Sequence, residues 1–179
     1  MALLAESLVD EWLNRQGFFT VRGLKHGVDE IDLLAVRPAG RTLEAWHVEV
    51  QASFRPMGYI SPLTSEFMPS FAKSRTSAKK RPPEVLKACA KAWVQKKFLS
   101  VAKQKARDTA WLGLEWKPLL VHAVIREEEE LCIFQMAGVK LIALHQVLGQ
   151  LKHVAGKLKG GAGTDLAEVI EYYNAYVAT

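Results

Sequence analysis

The spacing of apolar positions along the chain predicts a mixed α/β protein. Leu4, Leu8 and Trp12 recur at helical spacing near the start, whereas shorter apolar runs alternate with polar residues or are bounded by Gly and Pro, as strands are. The predicted elements are, in order, a helix at 3–16, strands at 18–22, 29–36 and 44–51, a long helix at 82–105 and a buried strand at 119–125. The inner stripe of the long helix is predicted at Leu86, Cys89, Ala90, Trp93, Val94, Phe98 and Val101. Between the elements, residues 23–27 are predicted to turn and residues 52–82 to be irregular.

The order of these elements predicts one main domain. Residues 1–125 give the order αβββαβ, which we expect to form a mixed central sheet flanked by helices, and residues 126–155 add an αβα extension. The Gly-rich segment 156–163 lacks the Gly-Lys-Ser/Thr ending of a phosphate loop, so we interpret it as a linker to a last helix at 164–179. A chain of 179 residues is long enough to bury a sizeable core.

Asp32 and Glu49 are the most informative residues, because each lies in one of two strand-like runs that a turn joins. The joining segment 37–42 contains the Pro and Gly that are typical of a chain reversal. A hairpin centred between Gly40 and Arg41 places Asp32 directly opposite Glu49, with Cβ atoms roughly 4.5–5.5 Å apart. Two carboxylates at that distance repel unless a cation lies between them, and hard oxygen ligands favour Mg²⁺, with Mn²⁺ as a substitute. The hairpin therefore predicts a metal site.

The second strand of this hairpin has two faces of different character. One face carries Trp46, Val48 and Val50, and the other carries His47, Glu49 and Gln51. We expect the apolar face to enter a core and the polar face to line a cleft. An ordinary half-buried strand alternates in the same way. Asp32 weighs against that simpler interpretation, because Asp is depleted from strands and needs a compensating partner in an apolar run.

Composition and cysteine content limit the class of protein. Hydrophobic residues make up 49% and charged residues 24% of the chain, as in globular proteins. No apolar run approaches the roughly 20 residues of a membrane span, and the first residues lack a basic segment, so we expect a cytoplasmic protein without a secretory signal. Cys89 and Cys132 both lie in apolar patterns, which predicts buried thiols rather than a disulfide.

Basic residues are concentrated in one part of the chain. Residues 73–107 hold twelve Lys or Arg and a single acid, Glu84, whereas each flank holds six basic and nine acidic residues. This distribution favours contact with nucleic-acid phosphates over a merely solvated face, and over an anionic membrane surface. The candidate contact residues are Lys73, Arg75, Lys79, Lys80, Arg81, Lys96 and Lys97, the first five of them in a predicted flexible loop.

The sequence resembles the PD-(D/E)XK nuclease superfamily, most closely its Holliday-junction-resolvase and Mrr-like branch. The resemblance lies in residues 27–35, which contain Asp32, and in residues 47–51, which contain Glu49 and Gln51. It also includes Glu6 in the first helix, and it covers roughly residues 1–125. The resemblance implies a restriction-endonuclease-like fold and metal-dependent hydrolysis of DNA phosphodiester bonds.

The resemblance also implies roles for particular residues. Asp32 and Glu49 would be Mg²⁺ ligands, with Glu6 completing the set directly or through water. Gln51 stands where most members have a Lys that orients the attacking water; Gln keeps the hydrogen bond and loses the charge. A loop lysine such as Lys73 or Lys79 is one candidate for supplying that charge. Members of this kind are commonly dimers, because two symmetric sites suit the cutting of two strands.

Several residues retain a second interpretation at this stage. Glu6 fits a surface helix acid as well as it fits a ligand, and His47 fits an ordinary strand histidine better than a site residue. Trp111 and Trp116 fit packing better than base stacking. For the whole protein, the alternative to a nuclease is a module of the same fold that binds DNA or a protein partner without cutting.

Overall fold

The protein is a mixed α/β structure whose five-stranded sheet is flanked by helices. The computed structural model describes residues 2–27, 29–52, 57–71 and 74–153. Its elements are α1 Ala2–Arg15, β1 Phe19–His26, β2 Asp29–Ala39, β3 Thr42–Gln51, α2 Met68–Phe71, α3 Pro83–Val94, a π-helical turn Gln95–Leu99, α4 Val101–Ala110, β4 Trp116–His122, α5 Glu129–Met136, β5 Lys140–Ala143 and α6 Leu144–His153. The predicted linker 156–163, the predicted helix 164–179 and Lys73 lie outside the described residues. Among the described helices, none is both long enough and apolar enough to cross a membrane.

The strands lie in the order β1-β2-β3-β4-β5. The first three pair antiparallel, and β4 and β5 continue the sheet in parallel with β3. A tight turn at Gly40 and Arg41 joins β2 to β3, and Gly40 takes a φ of +66°, which glycine adopts without strain. The resulting register pairs Leu33 with Val48 and Ala39 with Thr42, as the predicted hairpin requires.

The two faces of the sheet are covered by different helices. On one face, Leu33, Val48 and Val121 pack with residues of α1 and α6 in the largest core cluster. On the other face, Leu120 packs with Trp93, Phe98 and Phe134 from α3, the π-turn and α5. Trp12, Trp46 and Trp93 are all buried, which confirms their prediction as core residues.

The long helix predicted at 82–105 is interrupted. The π-turn follows α3 directly, and Ser100, with extended backbone, starts a new helix by accepting a hydrogen bond from the Lys103 amide at 3.3 Å. The extra residue in the π-turn and the break at Ser100 rotate the following turns. As a result Val101, predicted on the inner stripe, is 68% exposed, and Lys103 and Ala106 face inward instead.

Other sequence predictions also need correction. Residues 23–26, predicted to turn, continue β1, with Gly23 at a φ of +60°. Cys132 is exposed, because it lies on the outer face of α5, whereas Cys89 is buried as predicted. The polar face of β3 does not line an open cleft near His47 and Glu49, since both side chains are covered by the π-turn and α4.

Candidate functional site

Asp32 lies where the hairpin ladder ends. The recorded pairs of β2 with β3 stop at Leu33 and Val48, so Asp32 and Glu49 occupy the next facing positions. The backbone N–H of Val50 donates to Oδ2 of Asp32 at 2.7 Å. The Asp32 carboxylate thus accepts a backbone hydrogen bond from β3 just beyond the last residue pair of the ladder. The charge of Glu49 acts on Asp32, as expected if the predicted register continues for one more pair.

Glu49 is fully buried, with 0% of its surface exposed, and three side chains bind it. Lys97 Nζ lies 2.5 Å from Oε2, Lys103 Nζ lies 2.8 Å from Oε1, and His47 Nε2 lies 3.1 Å from Oε1. A buried carboxylate is tolerated only when it is paired and hydrogen-bonded, and these contacts meet that requirement. Glu49 is thus a carboxylate held in a fixed orientation.

The two lysines come from the interrupted helix. Lys97 belongs to the π-turn, and Lys103 lies in the first turn of α4, which the break at Ser100 directs toward the sheet. Lys103 also donates to the carbonyl of Glu30 on β2, which ties α4 to both strands of the hairpin. Lys97 keeps 23% of its side chain exposed, whereas Lys103 keeps 3%. Lys97 is therefore the cation of the pair that solvent can reach.

The two carboxyl groups differ in their protonation. Burial, and then the negative charge of Glu49, raise the pKa of Asp32 to about 6, against the opposing N–H of Val50 and the charge of Lys97. Burial also acts to raise the pKa of Glu49, but the hydrogen bond from His47 and the charges of Lys97 and Lys103 outweigh it, and the pKa is lowered. Asp32 therefore takes up a proton near pH 6, while Glu49 stays ionised.

A second layer orients His47. Arg107 Nη1 lies 2.8 Å from His47 Nδ1 and also donates to the carbonyl of Phe98 at 2.7 Å. Since a guanidinium only donates, Nδ1 of His47 is the acceptor and Nε2 carries the hydrogen that faces Glu49. Burial lowers the pKa of His47 despite its carboxylate partner, so the ring is neutral at pH 7. His47 is thus a buried histidine with both ring nitrogens partnered, and it contacts the candidate site only through Glu49.

Gln51 and Glu6 are placed differently from the two facing acids. Gln51 is partly exposed at the end of β3, where it borders a cavity that Lys97 also borders. Glu6 is partly buried on α1, and its charge contributes to the raised pKa of Asp32, so it lies within electrostatic range of that carboxyl group. Neither placement by itself assigns Gln51 or Glu6 a chemical role.

The predicted phosphate contacts fall into distinct environments. Arg75, Lys79, Lys80 and Lys96 are exposed. Arg81 is buried: Nη1 donates to the carbonyl of Ser61 at 2.8 Å, and the guanidinium lies 3.9 Å from the centre of the Tyr59 ring. The expectation of a solvent-exposed loop side chain is therefore wrong for Arg81, and Lys97 is engaged with Glu49.

The donor set at Asp32 and Glu49 fits Mg²⁺ in chemistry. Among the described residues, no group of three or more His, Cys, Asp or Glu side chains is arranged to hold a metal ion. Mg²⁺ is nevertheless commonly held by one or two carboxylates, with waters and substrate phosphates completing its shell. Asp32 and Glu49 supply two such carboxylates, of which Asp32 has no cation directly bonded to it among the described contacts.

Sequence reasoning missed Lys103 and Arg107, which complete the surroundings of Glu49. They do not continue the inner stripe of α3, because the π-turn and the break at Ser100 come between. Hydrophobic periodicity could not have identified them, but charge pairing could have. A carboxylate in a buried strand requires cations, and residues 73–107 contain half of the basic residues of the chain.

No family model and no curated protein matches this chain. The crystal structure of a protein of unknown function is similar to it, with a TM-score of 0.50 and 14% sequence identity, over 96% of this chain and 79% of that chain. At this identity the likeness concerns the fold alone, and it agrees with the mixed α/β architecture described above.

Proposed function

We propose that the protein is a Mg²⁺-dependent DNA endonuclease of the PD-(D/E)XK superfamily, with a restriction-endonuclease-like αβββαβ core and a place near the Holliday-junction-resolvase and Mrr-like branch. The observation that supports it best is the convergence of Asp32 and Glu49 at the open end of the β2–β3 ladder. Such an enzyme would act in repair, recombination or defence in the cytoplasm, and a homodimer would present two sites to two strands.

The carboxylates of Asp32 and Glu49 would hold the metal, with Glu6 near enough to act through water. Bound Mg²⁺ would polarise the scissile phosphate and lower the pKa of a coordinated water. The residues of this chain prepare that chemistry by keeping one carboxylate ionised and oriented and the other accessible.

Lys97 supplies the charge that Gln51 lacks. Its ammonium is 2.5 Å from Glu49, and its charge also acts on Asp32. It is partly exposed, so it can neutralise a phosphate oxygen at the same place where it balances the acids. Gln51 borders the same cavity and can hydrogen-bond a water there. The compensating lysine is therefore assigned to the π-turn instead of the loop.

The exposed lysines extend this site into a binding surface. Lys79, Lys80 and Lys96 lie on the surface of the segment whose inner residues contact Glu49. Contacts of this kind carry affinity without reading sequence, which suits an enzyme of modest sequence specificity.

One observation favours the alternative, a DNA-binding module that does not cut. The carboxylate of Glu49 already has three hydrogen-bonding partners, so a metal ion must compete with Lys97 for Oε2. In that case Glu49 is a structural ion-pair centre and the exposed lysines alone serve DNA.

A cleavage assay separates the two functions. Plasmid DNA, branched DNA, single-stranded DNA and RNA are each incubated with the protein in Mg²⁺, Mn²⁺ or EDTA. The proteins compared are wild type, Asp32→Asn and the control Glu44→Gln, which alters an acid at the turn end of the same hairpin. If the protein is a nuclease, we expect wild type and Glu44→Gln to nick DNA in a metal-dependent reaction and Asp32→Asn to be inactive. Salt-sensitive DNA binding without cleavage under any metal would establish the module instead.

A further inference from the structure

A cavity of about 510 Å³ lies directly beside the candidate site. Gln51 and Lys97 form the border nearest to the acids. The walls combine apolar and aromatic residues with cations, namely Met57, Tyr59, Ile60, Trp93, Arg81 and Lys96. None of the described residues that line it is acidic. A cavity with aromatic walls, whose charged lining residues are all cations, suits an aromatic anion.

Arg81 is the residue that most requires a ligand. Only 5% of its surface is exposed, its Nη1 is bonded to Ser61, and its Nε has no hydrogen-bond partner within the described part of the chain. No carboxylate of that part forms an ion pair with it; Glu130 reaches it only through the Ser61 hydroxyl. A buried guanidinium with an unused donor is costly, and an acceptor from a ligand removes that cost.

The cavity wall is a built structure. Glu130 is fully buried and accepts hydrogen bonds from the amides of Ile60 and Ser61, at 2.6 and 2.9 Å. The amide of Arg81 donates to the Tyr59 hydroxyl at 3.0 Å, so the chain before α3 is fastened to the same segment. Tyr59 and Arg81 are thus held in place before any ligand arrives.

We propose that this cavity receives one unpaired nucleotide of a DNA strand, its base among Met57, Tyr59 and Trp93 and its phosphate toward Lys96 and Lys97. The volume is within the range of single-ligand sites, and it is too small for a base pair with both backbones. Base stacking on aromatic side chains is a common means of holding an unstacked base, and enzymes that modify a base extrude it from the duplex into such a pocket. This inference rests on the proposed function and names its substrate class: DNA with an unpaired residue at the scissile position, as in bulges, flaps and branch points.

Binding of 2-aminopurine DNA tests the proposal without requiring cleavage. Two duplexes of one sequence are compared in EDTA, one fully paired and one with a single bulged 2-aminopurine nucleotide, using the Asp32→Asn protein. We expect a change in 2-aminopurine fluorescence and a preference of about tenfold for the bulged duplex, consistent with the stacking of one base. Equal affinity for both duplexes, or equally tight binding of free deoxynucleoside monophosphate, would overturn the proposal.

Three variants test whether the preference depends on the cavity. Ala78→Phe fills the cavity from an exposed position, near Gly58, and should abolish the preference, whereas Ser74→Phe, on the same surface segment but not in the cavity lining, should keep it. Lys96→Gln at the rim should weaken it severalfold. An unchanged preference in Ala78→Phe contradicts the assignment of the cavity.

Cleavage by wild type distinguishes this proposal from the nuclease itself. Metal-dependent cutting that is equally fast on paired and bulged duplexes would refute the nucleotide cavity and leave the nuclease standing. A preference for the bulged duplex with no cleavage under any metal would leave the cavity standing and refute the nuclease.

Discussion

Replacing Asp32 by Asn is expected to stabilise the metal-free protein at pH 8. Burial and the nearby Glu49 raise the pKa of Asp32 from its ordinary 3.8 to about 6, so the folded state favours the uncharged carboxyl group. Asn is close to that group in shape and remains uncharged at every pH. Its amide oxygen can still accept the hydrogen bond from Val50, which the wild-type carboxyl group accepts at 2.7 Å.

The magnitude follows from the pKa difference between the folded and unfolded states. A raised acid pKa means that folding retains a proton between about pH 4 and pH 6, so ionisation of Asp32 costs stability as the pH rises through that range. At 1.36 kcal/mol per unit, the shift to about 6 corresponds to about 3 kcal/mol above pH 6. Partial exposure of Asp32 screens its charge, so we expect Asp32→Asn to gain about 1–2 kcal/mol there and nothing near pH 3.5.

Urea unfolding at a series of pH values between 3.5 and 8, in EDTA, measures this difference. Glu44→Gln is the matched control, because Glu44 lies on the other strand of the same hairpin and pairs with Arg37 at a partly exposed position, where loss of an ion pair costs at most about 1 kcal/mol. Destabilisation by Asp32→Asn at pH 8 would refute the reasoning. It would mean that Lys97 stabilises the ionised Asp32 carboxylate by more than burial and the charge of Glu49 destabilise it. A gain that does not change with pH would refute the electrostatic origin.

Further predictions concern the same charges and the helix that carries them. Glu49→Gln, the isosteric change at the facing acid, should lower the free energy of unfolding by about 3–5 kcal/mol in urea unfolding, because it leaves two lysines without their carboxylate. Since the pKa of Glu49 is lowered by folding, this stabilisation is present above the pKa of the unfolded state and is lost as the pH falls through the pKa of the folded state. Saturating Mg²⁺, at about 100 times its dissociation constant, should stabilise wild type by about 2.7 kcal/mol and Asp32→Asn much less, as thermal unfolding can show. Calorimetry should find that the apparent Mg²⁺ affinity rises with pH up to about 6 and then levels off, because the proton of Asp32 competes with the metal; a flat profile contradicts this. Ser100→Ala should cost about 1 kcal/mol by removing the cap of α4, and a loss below about 0.3 kcal/mol would contradict that contribution.

The facing pair was predictable because its determinants are local. A two-residue turn at Gly40 and Arg41 fixes the register of β2 and β3, and the period of two then decides which residues face each other. Asp32 and Glu49 follow from those two facts alone. The same alternation predicts that Trp46 is buried, which the structure confirms.

What covers the polar face of β3 was not predictable in this way. The covering residues come from nearly fifty to sixty positions further along the chain, and their orientation depends on one additional residue in a π-turn. A regular helix would have continued the stripe from Trp93 and Val94 to Val101. The structure instead turns Lys103 inward, since burial of the Glu49 carboxylate requires cations more strongly than the helix requires regularity.

The same requirement changes how the basic segment is understood. Its charge count favours phosphate contact, yet Lys97 and Lys103 balance the charge of Glu49 and Arg107 orients His47, while Arg81 lies in a cavity wall. In the part of the basic segment that the structure describes, the exposed cations, which could form the proposed DNA surface, are Arg75, Lys79, Lys80, Lys87, Lys91, Lys96 and Lys105. Some basic residues of this segment therefore pair with a buried carboxylate, and others remain exposed to solvent. Which residue belongs to which group depends on how the helices pack against the sheet. The inward Lys97 and Lys103 hold Glu49, and the outward Lys96 lines the adjoining cavity. The interrupted helix therefore connects the candidate site to its proposed DNA surface.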